Sequence, residues 1–217
     1  KIMGTPVETI IATEDRGIFA EKMAEIVEPV AQSETANNIE EALKLVTNIG
    51  FPVIIRAAFA LGGLGSGFAE NMEEFKEKSF QAFQNSPQIL IEKYIPGREI
   101  QAAIMGNKKL GAIELKPKRK FYDYSAKYDK NAKTEHIMPA EISKKNYKKV
   151  MSISFKAHKL LKCRGTTRSD FRFYKNKFYL LEINTQPGMT SLSLVPEIAK
   201  YNNINFYKLI KWMIRDA

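Results

Sequence analysis

The chain has 217 residues, 44% apolar and 27% charged, with one cysteine and two histidines. That is enough chain to bury a core in one large domain or two lobes, and it excludes disordered and fibrous classes. No apolar stretch is long enough to span a bilayer, Lys1 to Pro6 carry no secretory signal, and Cys163 can neither close an internal disulfide nor, with His136 and His158, build a Cys- or His-based zinc site. A reducing, cytoplasmic setting follows. The formal charge of +10 is uneven: residues 1–100 hold 9 Lys and Arg against 15 Asp and Glu, and residues 101–217 hold 25 against 9. Such a jump suits an anionic ligand on the second part, a polyanionic partner, or two stretches of different compositional history.

Along the chain, Ile18, Phe19, Met23 and Ile26 recur at helical spacing behind acidic Glu14 and Asp15, which predicts an amphipathic helix over 13–26. Asn38 with Glu41 forms a capping box for a second helix, with Ala42, Leu43 and Val46 inward and Gly50 as its stop. Residues 51–59 are a β-branched run that suits a buried strand, followed by a glycine cluster. Asn71 with Glu74 caps a helix reaching about Phe83, and residues 88–92 form a strand. Beyond the turn at Ile95-Pro96-Gly97, strands 99–105 and 110–115 pair as a hairpin through Gly106-Asn107. Residues 116–136, basic and rich in tyrosine, are a long loop of the kind that carries function. A helix over 144–161, a hairpin of 168–173 against 178–184, and a closing helix over 206–214 anchored by Trp212 and Met213 complete the chain.

Asp170, Glu182 and Asn184 form the sharpest constellation. Positions 182 and 184 leave the same face of a strand, and a three-residue loop at 175–177 places Asp170 directly across from Glu182, with Cβ atoms about 5 Å apart. Two facing carboxylates repel, no lysine stands at that height to neutralise them, and an oxygen-only set on a rigid hairpin suits magnesium bound to phosphates. Polar residues that merely mark strand ends are the alternative. The run Gly62-Gly63-Leu64-Gly65-Ser66-Gly67 can bring backbone N–H groups to phosphate oxygens, although it fits neither the Walker nor the dinucleotide spacing, and a flexible hairpin turn explains it as well. Arg56, a charge inside an apolar strand just before it, needs an anion. The lysines of 116–120 and 144–149 read as a solvated helix face and a long loop rather than a nucleic-acid site, and Cys163, His136 and His158 read as packing or surface residues.

Glu14-Asp15-Arg16 together with residues 54–67 resembles the ATP-grasp module of the carbamoyl phosphate synthetase large subunit, over roughly residues 4–90. Residues 121–128, Arg168-Ser169-Asp170 and the run from Leu180 to Pro196 resemble D-alanine–D-alanine ligase, from about residue 91 onward. Two resemblances in one chain imply a chimera with its seam between about 87 and 97. Both imply the same ATP-grasp fold, two α+β lobes that hold ATP. They imply phosphate contacts from Arg16, Arg56 and the Gly62-Gly63 loop, an adenine-binding hinge at Glu92, Lys93, Tyr94 and Ile95, and Glu99 on the ribose. Asp170, Glu182 and Asn184 match the magnesium ligands, in agreement with the strand geometry. From the ligase resemblance come Lys127 and Tyr128 in a closing loop, Arg168 on the oxyanion, and Gly188, Ser193 and Leu194 around the second D-alanine. Ser125 and Gly62 depart from the ligase pattern, where a glutamate and a serine stand, and the N-terminal domain that supplies a glutamate for the first D-alanine is absent from the chain.

The expectation is thus an α+β, ATP-grasp protein with lobes at 1–93 and 94–217. It binds Mg-ATP and joins a carboxylate to an amine through an acyl phosphate, with a small molecule such as D-alanine as substrate. Bicarbonate phosphorylation of the carbamoyl phosphate synthetase type, or nucleotide binding without turnover, are the alternatives. The reading includes no membrane and no nucleic-acid partner, and it leaves a homodimer open.

Overall fold

Pro6 opens α1 (Val7–Glu14), and Asp15, in an extended conformation, closes it. The same Asp15 caps α2 (Arg16–Glu25), its carboxylate accepting from the Ile18 N–H at 2.9 Å. One helix was expected over 13–26; two form, because a short acidic side chain satisfies an orphan N–H at a helix start better than it serves inside a helix. Phe19 and Met23 are buried as expected, whereas Ile18 is 36% exposed. The computed structural model describes residues 3–26, 29–57, 66–116 and 134–217. The chain divides into two units.

In the unit of residues 31–95, β1 (Ser33–Ala36), β2 (Val53–Ala57), β3 (Gly67–Ala69) and β4 (Ile89–Lys93) form an antiparallel sheet in the order β1-β4-β2-β3. Helices α3 (Ile39–Ile49) and α4 (Met72–Phe83) start in the same way: Asn38 accepts from Glu41 N–H and Asn71 from Glu74 N–H. The glutamates reach back one residue beyond the cap, to Asn37 N–H and Glu70 N–H, each at 2.8 Å, so the expected boxes form in shifted versions. Val46, Ile49, Val53, Ile55, Phe75, Ile89 and Ile91 make one apolar core. Strands β1 and β3 were not expected. Each is short and lacks an alternating pattern, and each owes its ladder to a longer neighbour, β4 for β1 and β2 for β3.

The other unit holds a five-stranded antiparallel sheet in the order β7-β6-β5-β8-β9, from β5 (Arg98–Met105), β6 (Lys108–Lys116), β7 (Glu135–Ile137), β8 (Thr166–Tyr174) and β9 (Lys177–Asn184). Helix α5 (Lys144–Leu160) lays Val150, Ile153 and Ala157 against Ile100, Ala102, Ile104 and Phe171. Helices α6 (Leu194–Tyr201), which was not expected, and α7 (Phe206–Asp216) follow. Trp212 and Met213 are half-buried, and Leu209 is the fully buried residue of α7. Phe19 and Met23 join this core, and Thr9 Oγ1 donates to the Leu161 carbonyl at 2.7 Å, so α1 and α2 belong with residues 96–116 and 134–217.

Candidate functional site

The face of this larger sheet opposite α5 carries a polar patch on β5, β8 and β9, bordered by Ile113 and Leu115 of β6. Across three strands the ladder sets Glu99 opposite Arg172, Gln101 opposite Asp170, Asp170 opposite Glu182, and Arg168 opposite Asn184. Cross-strand partners share a face, so Glu99, Gln101, Arg168, Asp170, Arg172, Glu182 and Asn184 stand together.

The facing of Asp170 and Glu182 is as expected, but it arises differently. The turn has two residues, Lys175 and Asn176, both at positive φ (47° and 60°), and Tyr174 pairs with Lys177. A regular ladder from that turn would put Leu181 opposite Asp170 and send Glu182 to the other face. A bulge between Asp170 and Phe171 skips Leu181 and restores the pairing. The extra residue that the sequence reading put in the loop lies in the strand, and the Leu181 carbonyl accepts a hydrogen bond from Arg16 Nη1.

Charge neutralisation also differs. No lysine is needed, because Arg168 Nε and Nη2 clasp Asp170 Oδ1 and Oδ2 at 2.7 and 2.9 Å, a bidentate pair on a carboxylate that is 7% exposed. The clasp follows from i,i+2 spacing on one strand, a signal present in the sequence and not used. Arg168 and Asp170 are thus brought together, and a bidentate pair leaves carboxylate lone pairs that can still meet a cation. Asn184 Oδ1 accepts from the Gln186 N–H at 2.9 Å, which fixes its amide at the end of β9. Among the described residues no cluster of three or more His, Cys, Asp or Glu side chains could hold a metal; the set here is two carboxylates and an amide oxygen. Beyond β9, Ser193 Oγ accepts from the Thr190 N–H at 2.9 Å, and a Cβ at Gly188 would lie 3.0 Å from that hydroxyl oxygen, so Gly188, Ser193 and the buried Leu194 at the start of α6 sit close in one loop.

In the unit of residues 31–95, Arg56 on β2 finds its anion in the protein itself: Nη2 stands 3.7 Å from Oε1 of Glu92, whose side chain is 3% exposed. The inference from Arg56 to a phosphate loses that part of its force. At the expected hinge, Lys93 N–H donates to the Gln32 carbonyl at 2.8 Å and Tyr94 N–H to the Pro52 carbonyl at 3.1 Å, while Lys93 Nζ holds the Gly50 and Phe51 carbonyls at 3.0 and 2.8 Å. Tyr94 packs edge-on against Phe68, and Ile95 is half-buried. Gly62, Gly63, Lys127 and Tyr128 lie outside the described residues.

Of the cysteine and the two histidines, Cys163 and His158 are packing residues and His136 lies at the surface. Burial pushes the Cys163 thiol up to about 12. Burial pushes the His158 imidazole down to about 4, with Lys159 adding to the shift and Asp216 opposing it, and its Nδ1 lies 2.8 Å from Thr167 Oγ1. His136 Nδ1 stands 2.7 Å from Glu197 Oε2.

The family profile described as D-ala D-ala ligase C-terminus matches residues 13–215. The D-alanine–D-alanine ligase of Pelagibacter ubique (strain HTCC1062) is 52% identical over 176 residues, covering 81% of this chain and 57% of the relative. That of Wolbachia pipientis wMel is 39% identical over 181 residues, covering 82% and 57%. The chain therefore spans little more than half the length of these relatives. The crystal structure of D-alanine–D-alanine ligase from Bacillus anthracis superimposes with a TM-score of 0.85 at 25% identity, covering 99% of this chain and 70% of that one. The same enzyme complexed with ATP gives 0.82 at 26% identity, covering 99% and 69%. The fold is thus the ATP-grasp fold. The single profile runs through residues 87–97, where a seam was expected, and none of these matches supports a carbamoyl phosphate synthetase component or a chimera. Glycine-rich runs recur in unrelated chains because of what a side-chain-free backbone can do, so the 54–67 stretch does not by itself identify a second parent. The bicarbonate alternative loses its basis with that parent.

Proposed function

Because the chain belongs to the D-ala D-ala ligase C-terminus family, we propose that it binds Mg-ATP and joins a carboxylate to an amine, with D-alanine as the substrate class. The observation that carries this reading is the shared face of Arg168, Asp170, Glu182 and Asn184, flanked on the next strand by Glu99. In the reaction, a carboxylate oxygen attacks the γ-phosphorus, the bond to the β–γ bridging oxygen breaks, and ADP leaves with that electron pair. The amine nitrogen of the second substrate then attacks the acyl phosphate carbonyl, phosphate departs, and loss of the nitrogen's proton leaves an amide.

The protein's part is positioning and charge neutralisation. Glu99, held by Arg172 at 3.8 Å, takes the ribose. Arg16, Arg56 and the Gly62-Gly63 backbone take phosphate oxygens, and residues 92–95 take adenine, with Lys93 and Tyr94 N–H already engaged and Glu92 beside Arg56. Asp170, Glu182 and Asn184 would hold magnesium through the oxygen donors it prefers, and the chemistry it would supply there is neutralisation of phosphate charge. Arg168 holds Asp170 in place, and stabilises the oxyanion of the second step. Lys127 and Tyr128 close over the substrates, with Gly188, Ser193 and Leu194 around the second D-alanine. A small-molecule substrate and a cytoplasmic setting belong to the same proposal; no helix among the described residues is long and apolar enough to cross a membrane. The lysines at 144, 145, 148 and 149 are exposed on α5, and we read them as a solvated face.

A coupled ADP-release assay tests the reading. ADP should appear when Mg-ATP is offered with D-alanine, should not appear with bicarbonate, and should be lost on Arg168→Met. Tight Mg-ATP binding with no D-alanine-dependent ADP release would overturn the ligase reading in favour of a nucleotide-binding module.

A further inference from the structure

Gln101 is the residue of the polar face that the mechanism above leaves unused. It lies in the middle of β5, directly opposite Asp170 on β8 and Ile113 on β6, and is 1% exposed. Its Nε2 donates to Glu99 Oε1 at 3.3 Å, while Arg172 Nη2 stands 3.8 Å from Glu99 Oε2. This fixes which end of the amide is which, since the reverse orientation would set two oxygens against each other. The amide oxygen is therefore turned away from Glu99. It is buried and has no hydrogen-bond partner among the described residues. Buried acceptors are almost always satisfied, so an orphan beside ligand-binding carboxylates calls for a donor that arrives with the ligand.

We propose that Gln101 is a nucleotide-positioning residue. Its amide nitrogen holds Glu99 in place, and its oxygen accepts a hydrogen bond from an O–H group of the bound nucleotide–metal complex. The inference rests on the reading that this face binds Mg-ATP. Phosphate oxygens carry no proton at neutral pH, so they cannot be the donor. The O–H groups that belong beside a ribose-binding Glu99 and a metal-binding Asp170 are a ribose hydroxyl and a metal-bound water.

Calorimetric titration of the 217-residue chain separates these sources. Gln101→Met keeps the length of the side chain and removes both hydrogen-bonding ends; Gln101→Leu takes its place if circular dichroism shows the first variant unfolded. Four titrants serve: Mg-ATP, Mg-2′-deoxyATP, Mg-3′-deoxyATP, and ATP with a chelator. The variant should bind Mg-ATP about tenfold more weakly, the loss expected for one buried hydrogen bond. The deficit should vanish with one of the deoxynucleotides if the donor is a ribose hydroxyl, and under chelation if it is a metal-bound water. Equal affinity of variant and unmutated chain for Mg-ATP would overturn the role of Gln101 alone, as would a deficit of the same size with all four titrants, the mark of a purely structural residue. Failure of the unmutated chain to bind Mg-ATP would overturn the site itself and this role with it.

Discussion

Asp170 and Glu182 are two carboxylates opposed across hydrogen-bonded strands, and Arg168, two residues from Asp170, supplies the positive charge that makes the arrangement tenable. The trio of oxygen donors was legible from residue type and two-residue spacing. The same spacing contained Arg168 as a partner for Asp170 and Gln101 as a neighbour of Glu99, and attention to carboxylates alone passed over both. Whether Arg56 meets a phosphate or Glu92 could not be read from sequence, because that contact depends on a strand pairing between residues far apart in the chain. His158 gives a test that stands apart from ligand binding. Its folded-state pKa lies at about 4 against an ordinary 6.5, so the unfolded chain binds the proton first. Stability should therefore be fully present above pH 6.5 and be lost as pH falls through 4, by about 3 kcal/mol from this one group. Urea unfolding from pH 7 to 4 should show a shallower decline for His158→Gln, whose amide can still meet Thr167, than for the unmutated chain. Parallel declines would contradict a neutral buried imidazole.

The β8–β9 hairpin shows what an element adds to a residue pattern. Composition marks its strands, but the register depends on where one surplus residue goes, and turn and bulge are two solutions with the same pairing at Asp170. The helices that begin at Asn38 and Asn71 were legible because caps are local chemistry, and the one over 144–160 because its apolar residues repeat at helical spacing. Strands β1 and β3 and helix α6 were not, since their pairing or packing partners are remote in sequence. The entry to β5 is similarly constrained. Gly97 has φ +111°, a Cβ there would lie 2.4 Å from the Phe173 carbonyl oxygen, and its own carbonyl accepts from Arg172 Nη1 at 3.2 Å. Both strain and collision act on Gly97→Ala, so we expect a loss of about 2–4 kcal/mol in urea unfolding. A loss below about 1 kcal/mol would mean that the β5–β8 approach is looser than described.

At the scale of the molecule, the sequence conveyed the ATP-grasp class and the ligase kinship, and misjudged parentage. The swing from an acidic first part to a basic second part suggested two histories, yet one family runs through both. Charge distribution follows ligand and solvent demands within a family as readily as it marks a join. The break near residue 95 falls at a Pro-Gly turn, whereas the grouping of α1 and α2 with the C-terminal unit depends on Phe19, Met23 and Thr9 meeting partners more than 70 residues away. What unites residue, element and fold is a claim about metal-dependent nucleotide binding on the β8–β9 face. Calorimetric titration of Mg-ATP at fixed magnesium into the unmutated chain and into Glu182→Gln tests it most directly. The account predicts binding by the first and a loss of at least about tenfold by the second, because a neutral amide is a poorer magnesium ligand. Equal affinity for the two chains would contradict it.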